Sequence, residues 1–197
     1  MPVTKAETRQ SLLDAARRLV VTKGYTAVGI NTILTEAGVP KGSFYHHFDS
    51  KDAFGEAMLQ SYFDEYLTTM DAIVADSGKN SAEHLRKYWQ NFYDTQVVDN
   101  CQGGCLVVKL SAEIADLSEV MRLATKAGTT AIVDRLERMI IAGTAEGSVS
   151  VDDTPRTTAE ALYNLWLGAS VMAKIHRSAA YLDHAMALTL KTLHLPS

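Results

Sequence analysis

Two short stretches carry most of the chemistry-bearing side chains of this 197-residue chain. In the first, Lys41, Gly42, Ser43, Tyr45, His46, His47 and Lys51 bring cations, hydroxyls and a glycine close together, with Thr26 upstream. Such a set suits phosphate oxygens and base edges. Lysine reaches the two acceptors of guanine, while hydroxyls and main-chain N–H groups donate to phosphate. In the second stretch, Cys101 and Cys105 lie on either side of Gly103-Gly104, and Lys109 follows one helical turn after Cys105. A helix beginning near residue 104 puts Cys105 in its first turn, where the helix dipole favours the reactive thiolate. The competing reading of Cys105 is a small, inert core side chain.

Lys174 interrupts a segment that is otherwise apolar. It either snorkels to solvent or is partly desolvated, and a desolvated amine is more often neutral. A neutral amine beside an oxidised cysteine can capture it as a sulfur–nitrogen bond. Two cysteines are too few for a disulfide framework or a four-thiolate zinc site. His46 and His47 are adjacent and point apart on a helix, so neither a metal nor a cofactor is expected. A cysteine enzyme needs a base paired with the thiol, and neither His84 nor His176 stands in such a motif.

The elements that must position these groups read as helices nearly throughout. The four prolines stand at positions 2, 40, 155 and 196, leaving long stretches without a breaker. Leu12, Leu13, Ala16, Leu19 and Val20 recur at three and four residues, and Gly24 follows as a C-cap. Short helices are predicted over 30–37, ending at Gly38, and 41–48. Asp49 or Ser50 then caps a helix running to about 76. Further helices are predicted at 81–98, 104–115, 118–146, 154–177 and 181–194. Thr154-Pro155 is an N-cap followed by proline at the first helical position.

Two short helices around the Gly38 turn form a helix-turn-helix pattern. Ile33, Leu34, Ala37, Val39, Phe44 and Phe48 supply its small core. In segment 154–177 two apolar stripes cover most of the circumference, so the helix is buried on several sides. A partner subunit, joined by 181–194, is one way to cover them; plain interior helices are the other.

The net charge of −4 argues at first against nucleic acid. Its distribution argues the reverse. Residues 1–51 hold seven basic and four acidic side chains, a balance of +3, and the rest of the chain carries −7. A basic end on an acidic body suits a polyanion binder with a separate second function. No apolar run approaches a membrane span, and the N-terminal residues show no secretory pattern, so a cytoplasmic protein is expected.

The residues Gly24-Tyr25 and Glu36-Ala-Gly-Val-Pro-Lys-Gly-Ser-Phe-Tyr-His-His-Phe-Asp-Ser-Lys51 resemble the N-terminal domain of the TetR family of transcriptional regulators. The resemblance implies an all-α fold of nine helices. A three-helix DNA-binding head with a helix-turn-helix spans 6–66, and a helical ligand-sensing and dimerisation domain spans 67–197. It also implies a homodimer on a palindromic double-stranded DNA operator, each subunit placing residues 41–48 in a major groove. Lys51 and Thr26 suit phosphate anchoring at its edge.

The segments Gly104-Cys-Leu-Val-Val-Lys-Leu-Ser-Ala-Glu-Ile-Ala-Asp-Leu-Ser-Glu-Val-Met-Arg122 and Leu165-Trp-Leu-Gly-Ala-Ser-Val-Met-Ala-Lys-Ile175 resemble one branch of that family. That branch represses reductases and aldehyde-detoxifying enzymes, and answers to electrophiles and oxidants through a cysteine matching Cys105. The resemblance also implies that Lys174 lies near Cys105. A noncovalent small-molecule inducer is the alternative. For it, Tyr66, Trp89, Phe92, Tyr93 and Trp166 are candidate pocket residues, unless they are simply core.

Overall fold

The structure, a computed structural model, describes residues 4–103 and 105–196. Eight α-helices and one 3₁₀ helix account for the elements among them: α1 Lys5–Lys23, α2 Ile30–Ala37, the 3₁₀ helix Lys41–His46, α3 Lys51–Val74, α4 Ser81–Cys101, α5 Leu106–Leu117, α6 Glu119–Ala145, α7 Pro155–His176 and α8 Ala180–Thr192. The expected all-α fold of nine helices is therefore present. None of these helices is long and apolar enough to cross a membrane.

Local chemistry explains where the helices begin. Thr4 and Glu7 form a reciprocal capping box at α1, as Asn80 and Glu83 do at α4. Ser50 Oγ accepts from Ala53 N–H at 3.0 Å, so Ser50 rather than Asp49 caps α3. Thr154 accepts from Thr157 N–H with Pro155 at the first helical position of α7. Gly38 ends α2 in the left-handed conformation (φ +66°, ψ +30°), where a side chain is strained.

The main departure from expectation is in residues 41–48. Residues 41–46 form a 3₁₀ helix instead of an α-helix extending to 48. Ser43 N–H donates to Pro40 O and His47 N–H to Phe44 O, the three-residue spacing of that tighter coil. The last residues of α4 leave helical geometry. Val98 is extended, and Asp99, Asn100 and Cys101 have φ of +50°, +58° and +63°. The expected start of the next helix at Gly104 lies outside the described residues, and α5 begins at Leu106.

The chain divides into two compact units. The first comprises residues up to 65 together with 109–128, and the second comprises 66–108 and 129 onward. The first unit is built on Leu12, Leu13, Ala16, Val20, Ile33, Leu34, Phe44, Phe48 and Phe54, all buried. Phe44, Phe48 and Phe54 meet with ring centroids 4.8–5.5 Å apart. The second unit centres on Trp89 and Trp166, stacked at 5.2 Å with 13° between planes, with Phe92 edge-on to Trp166 at 5.4 Å.

Candidate functional site

In the first unit the helix-turn-helix sorts its side chains by polarity. Phe44 is wholly buried and Phe48 nearly so. Between and beside them, Lys41, Gly42, Tyr45 and His46 are exposed, and Ser43 and His47 are half-buried. Tyr45 is 64% exposed, unusual for so large an aromatic, and its ring stands edge-on to Phe44 at 5.4 Å. The polar row of residues 41–47 is thus held out by a hydrophobic anchor behind it. A Cβ added at Gly42 meets nothing within 4 Å, so the backbone there is open to a close approach. The N–H of Ser43 is taken by Pro40, which leaves its hydroxyl as the free donor. Desolvation lowers the His47 pKa, and the nearby charges of Lys5, His46 and Arg9 add to the shift, so its neutral form is favoured.

Thr26 and Lys51 both have partners within the chain. Thr26 donates both its N–H (2.7 Å) and its hydroxyl (2.5 Å) to Glu113 Oε1, and Tyr25 N–H donates to Glu113 Oε2 at 3.1 Å. The donors of Thr26 are therefore consumed inside the protein. Lys51 Nζ lies 4.8 Å from the centroid of the Tyr25 ring and donates to Tyr25 O at 3.4 Å. Its ammonium bends toward the α1–α2 turn because ring and carbonyl there offer it electron density. Burial pushes the Glu113 carboxyl up. The hydrogen bonds from Thr26 and Tyr25 and the charge of Lys51 outweigh it and hold the carboxyl below its ordinary value. Glu113 carries no sequence signal beyond being an acid in an amphipathic helix. Its role appears only in the fold.

In the second unit Cys105 is buried and stands immediately before the first residue of α5, not within its first turn. Burial raises the phenol pKa values of Tyr66, Tyr88 and Tyr163, and negative charge on Cys105 raises all three further. These three tyrosines are therefore within electrostatic reach of the thiol. Tyr66 and Tyr88 hydroxyls lie 3.0 Å apart in a hydrogen bond. Lys174, half-buried on α7, donates from Nζ to Gln102 O at 3.1 Å, which ties α7 to the segment leading to Cys105. That segment follows the three left-handed residues Asp99, Asn100 and Cys101. Each costs about 1–2 kcal/mol relative to ordinary helix, so the surroundings must hold it. Cys101 is also buried. Lys109 lies on α5 in the first unit.

The candidate pocket aromatics are mostly core. Trp89, Phe92 and Trp166 are buried against one another. Trp166 Nε1 donates to Thr189 Oγ1 at 2.8 Å, whereas Trp89 Nε1 is buried with no hydrogen-bond partner. Tyr93 turns away from this cluster and donates to Asp183 Oδ1 at 2.8 Å. Of the five, Tyr66 feels the charge of the Cys105 thiol. Tyr88 and Tyr163, which sequence reasoning passed over, feel it too; as ordinary core-spaced aromatics they offered no distinguishing signal. Among the described residues no group of three or more His, Cys, Asp or Glu side chains is arranged to hold a metal ion.

On α7 one stripe is buried (Ala159, Leu162, Tyr163, Trp166), while Val171, Met172 and Ile175 are exposed, Ile175 by 66%. On α8 Leu188 is also exposed.

Comparison with known proteins is consistent along the chain. Residues 12–58 match the family described as bacterial regulatory proteins, tetR family, and residues 81–189 match a tetracyclin repressor-like C-terminal domain. The HTH-type transcriptional repressor NemR of Escherichia coli is 36% identical over 194 residues, covering 98% of each chain. The HTH-type transcriptional repressor DhaR of a Mycobacterium species is 31% identical over 196 residues, 99% of this chain and 96% of that one. The crystal structure of reduced Escherichia coli NemR superposes with a TM-score of 0.91, covering 97% of this chain and 99% of that one. Both relatives are described as HTH-type transcriptional repressors.

Proposed function

Because the chain belongs to the TetR family of bacterial regulatory proteins and is a DNA-binding transcriptional repressor, we propose that it leaves its operator when an electrophile or oxidant modifies Cys105. It works in the cytoplasm as a homodimer, controlling detoxification genes as its similarity to NemR suggests. The exposed row Val171, Met172, Ile175 and Leu188 supports a subunit contact through α7 and α8. In each subunit Lys41, Gly42, Ser43, Tyr45, His46 and His47 face double-stranded DNA. Lys41 and the imidazoles reach base edges or phosphates, and Gly42 lets the backbone approach. Thr26 and Lys51 stabilise the turn behind that face.

The observation that carries the sensor reading is the geometry beside Cys105: a buried thiol, with Lys174 hydrogen-bonded three residues away at Gln102. Alkylation adds a bulky group to a buried side chain. Oxidation by a peroxide or hypochlorous acid gives a sulfenic acid, which condenses with the Lys174 amine to a sulfur–nitrogen bond and water. Either change favours a conformation whose two reading helices no longer match the half-site spacing.

A second reading, a noncovalent inducer, is favoured by the orphaned indole N–H of Trp89, since a buried unpaired donor is costly. Intact-mass measurement after N-ethylmaleimide treatment, paired with operator binding, separates the two. Release accompanied by an adduct on Cys105 supports the covalent reading. An adduct without release, or release without an adduct, contradicts it.

A further inference from the structure

The helix-turn-helix is bracketed in sequence by Tyr25-Thr26 before it and Lys51-Asp52 after it, and both brackets are tied to one short stretch of chain. Glu113 on α5 accepts three hydrogen bonds from the first bracket, at 2.5–3.1 Å. Five residues on, Ser118 Oγ donates to Asp52 Oδ2 in the second at 3.1 Å. The brackets are also tied to each other. Tyr25 hydroxyl donates to Lys51 O at 2.5 Å, and Lys51 Nζ returns to Tyr25 O and ring. Gly24 completes the receptor. Its φ of +83° turns the next two N–H groups toward the carboxylate, and a Cβ there would lie 3.1 Å from Glu113 Oε2.

We propose that Glu113 is the positioning residue through which movement of α5 reaches the DNA-reading segment. Its carboxylate is a two-oxygen clasp on the α1–α2 turn, gripping consecutive N–H groups and a hydroxyl in one orientation. The helix that carries it starts one residue after Cys105. A displacement of α5 then shifts both ends of the helix-turn-helix together, which is a change of orientation and not an unfolding. Without the carboxylate, the movement of α5 reaches the reading segment only through the weaker Ser118–Asp52 tie. The inference builds on the thiol-sensor reading above, and its test keeps the two apart.

The full-length wild type, Glu113→Ala and Thr26→Val are compared on a duplex that the wild type selects from a random-sequence pool. N-ethylmaleimide is the probe. The Cys105 thiol adds across its carbon–carbon double bond, the sulfur bonding one carbon and the thiol proton ending on the other. Intact mass follows the adduct, and anisotropy follows the duplex.

Glu113→Ala should bind the duplex within about threefold of wild type and be alkylated equally, yet its adduct should hold the duplex about tenfold more tightly than the wild-type adduct does, a coupling of ordinary allosteric size. Thr26→Val, which removes one of three donors, should fall between. A Glu113→Ala adduct that holds the duplex no more tightly than the wild-type adduct overturns the proposal. So does a loss of duplex affinity above about tenfold with a lowered melting temperature, the signature of a plain brace.

Should the wild type itself keep its duplex after alkylation, the sensor reading fails. The clasp is then judged by hydrogen exchange alone. Because coupling is reciprocal, duplex binding should protect the amides of residues 106–117 in the wild type and not in Glu113→Ala. Equal protection in both overturns it.

Discussion

The reading segment and the thiol segment treat their reactive groups in opposite ways. Residues 41–47 put polar side chains outward, with Tyr45 the most exposed aromatic on its element, and Phe44 and Phe48 as anchors behind. The thiol of Cys105 is turned inward, shortly after a backbone stretch of three strained left-handed residues, Asp99, Asn100 and Cys101. A surface that meets a rigid polyanion needs display from a firm base. A switch needs the reverse: a buried group whose modification cannot be accommodated, on a segment with strain to release.

The contrast can be broken from either side. The largest effect expected is on the anchor. Phe44→Ala should destabilise the first unit by about 3–5 kcal/mol, read by urea unfolding of the full chain, because it empties a fully buried site. An unchanged midpoint would mean the display has no such base. Next is Gly128→Ala in the same unit, whose Cβ would run into the Phe63 ring. Overpacking of that kind costs about 1–3 kcal/mol and should lower the melting temperature.

Smaller effects test the display itself. Tyr45→Ala should weaken operator binding about tenfold, or about 1.4 kcal/mol, and leave the melting temperature in place, since the side chain packs on little. Lys41→Ala should reduce the slope of log affinity against log salt by about 1 if the lysine neutralises one phosphate. A flat salt response of the wild type would contradict DNA binding by a basic face.

The smallest effect concerns the clasp. The Glu113 carboxyl sits below its ordinary value of 4.5 in the folded chain. Its contribution to stability is thus present above that value and is lost as pH falls through the lower folded one. Stability of Glu113→Gln should match that of wild type more closely at pH 3 than at pH 7, by acid-range thermal melts.

Much of the fold was legible because its signals are local. Three- and four-residue apolar spacing, Gly38 and Thr154-Pro155 announce helices from their own neighbourhoods, and the exposed-versus-buried sorting of residues 41–48 follows from side-chain type. The 3₁₀ geometry was not legible, since i+3 and i+4 bonding differ by how tightly the flanking anchors pull the coil. Nor was the reversal at Asp99–Cys101, where the chain is forced into left-handed backbone by what surrounds it. Residues 25–26 and Glu113 are separated by nearly half the chain, and Tyr66, Tyr88, Cys105 and Tyr163 are similarly scattered. Neither set shares a spacing, so composition at any one position cannot reveal it. Thr26 illustrates the consequence. A hydroxyl before a helix-turn-helix suits phosphate by its chemistry, and only the fold shows that a carboxylate already holds it.

The most direct test compares wild type and Cys105→Ser on the same operator duplex, with and without N-ethylmaleimide, at fixed salt. Both proteins should bind the untreated duplex equally, and the reagent should free the duplex from wild type alone. A serine variant that still releases its operator would contradict the assignment of Cys105 as the switch.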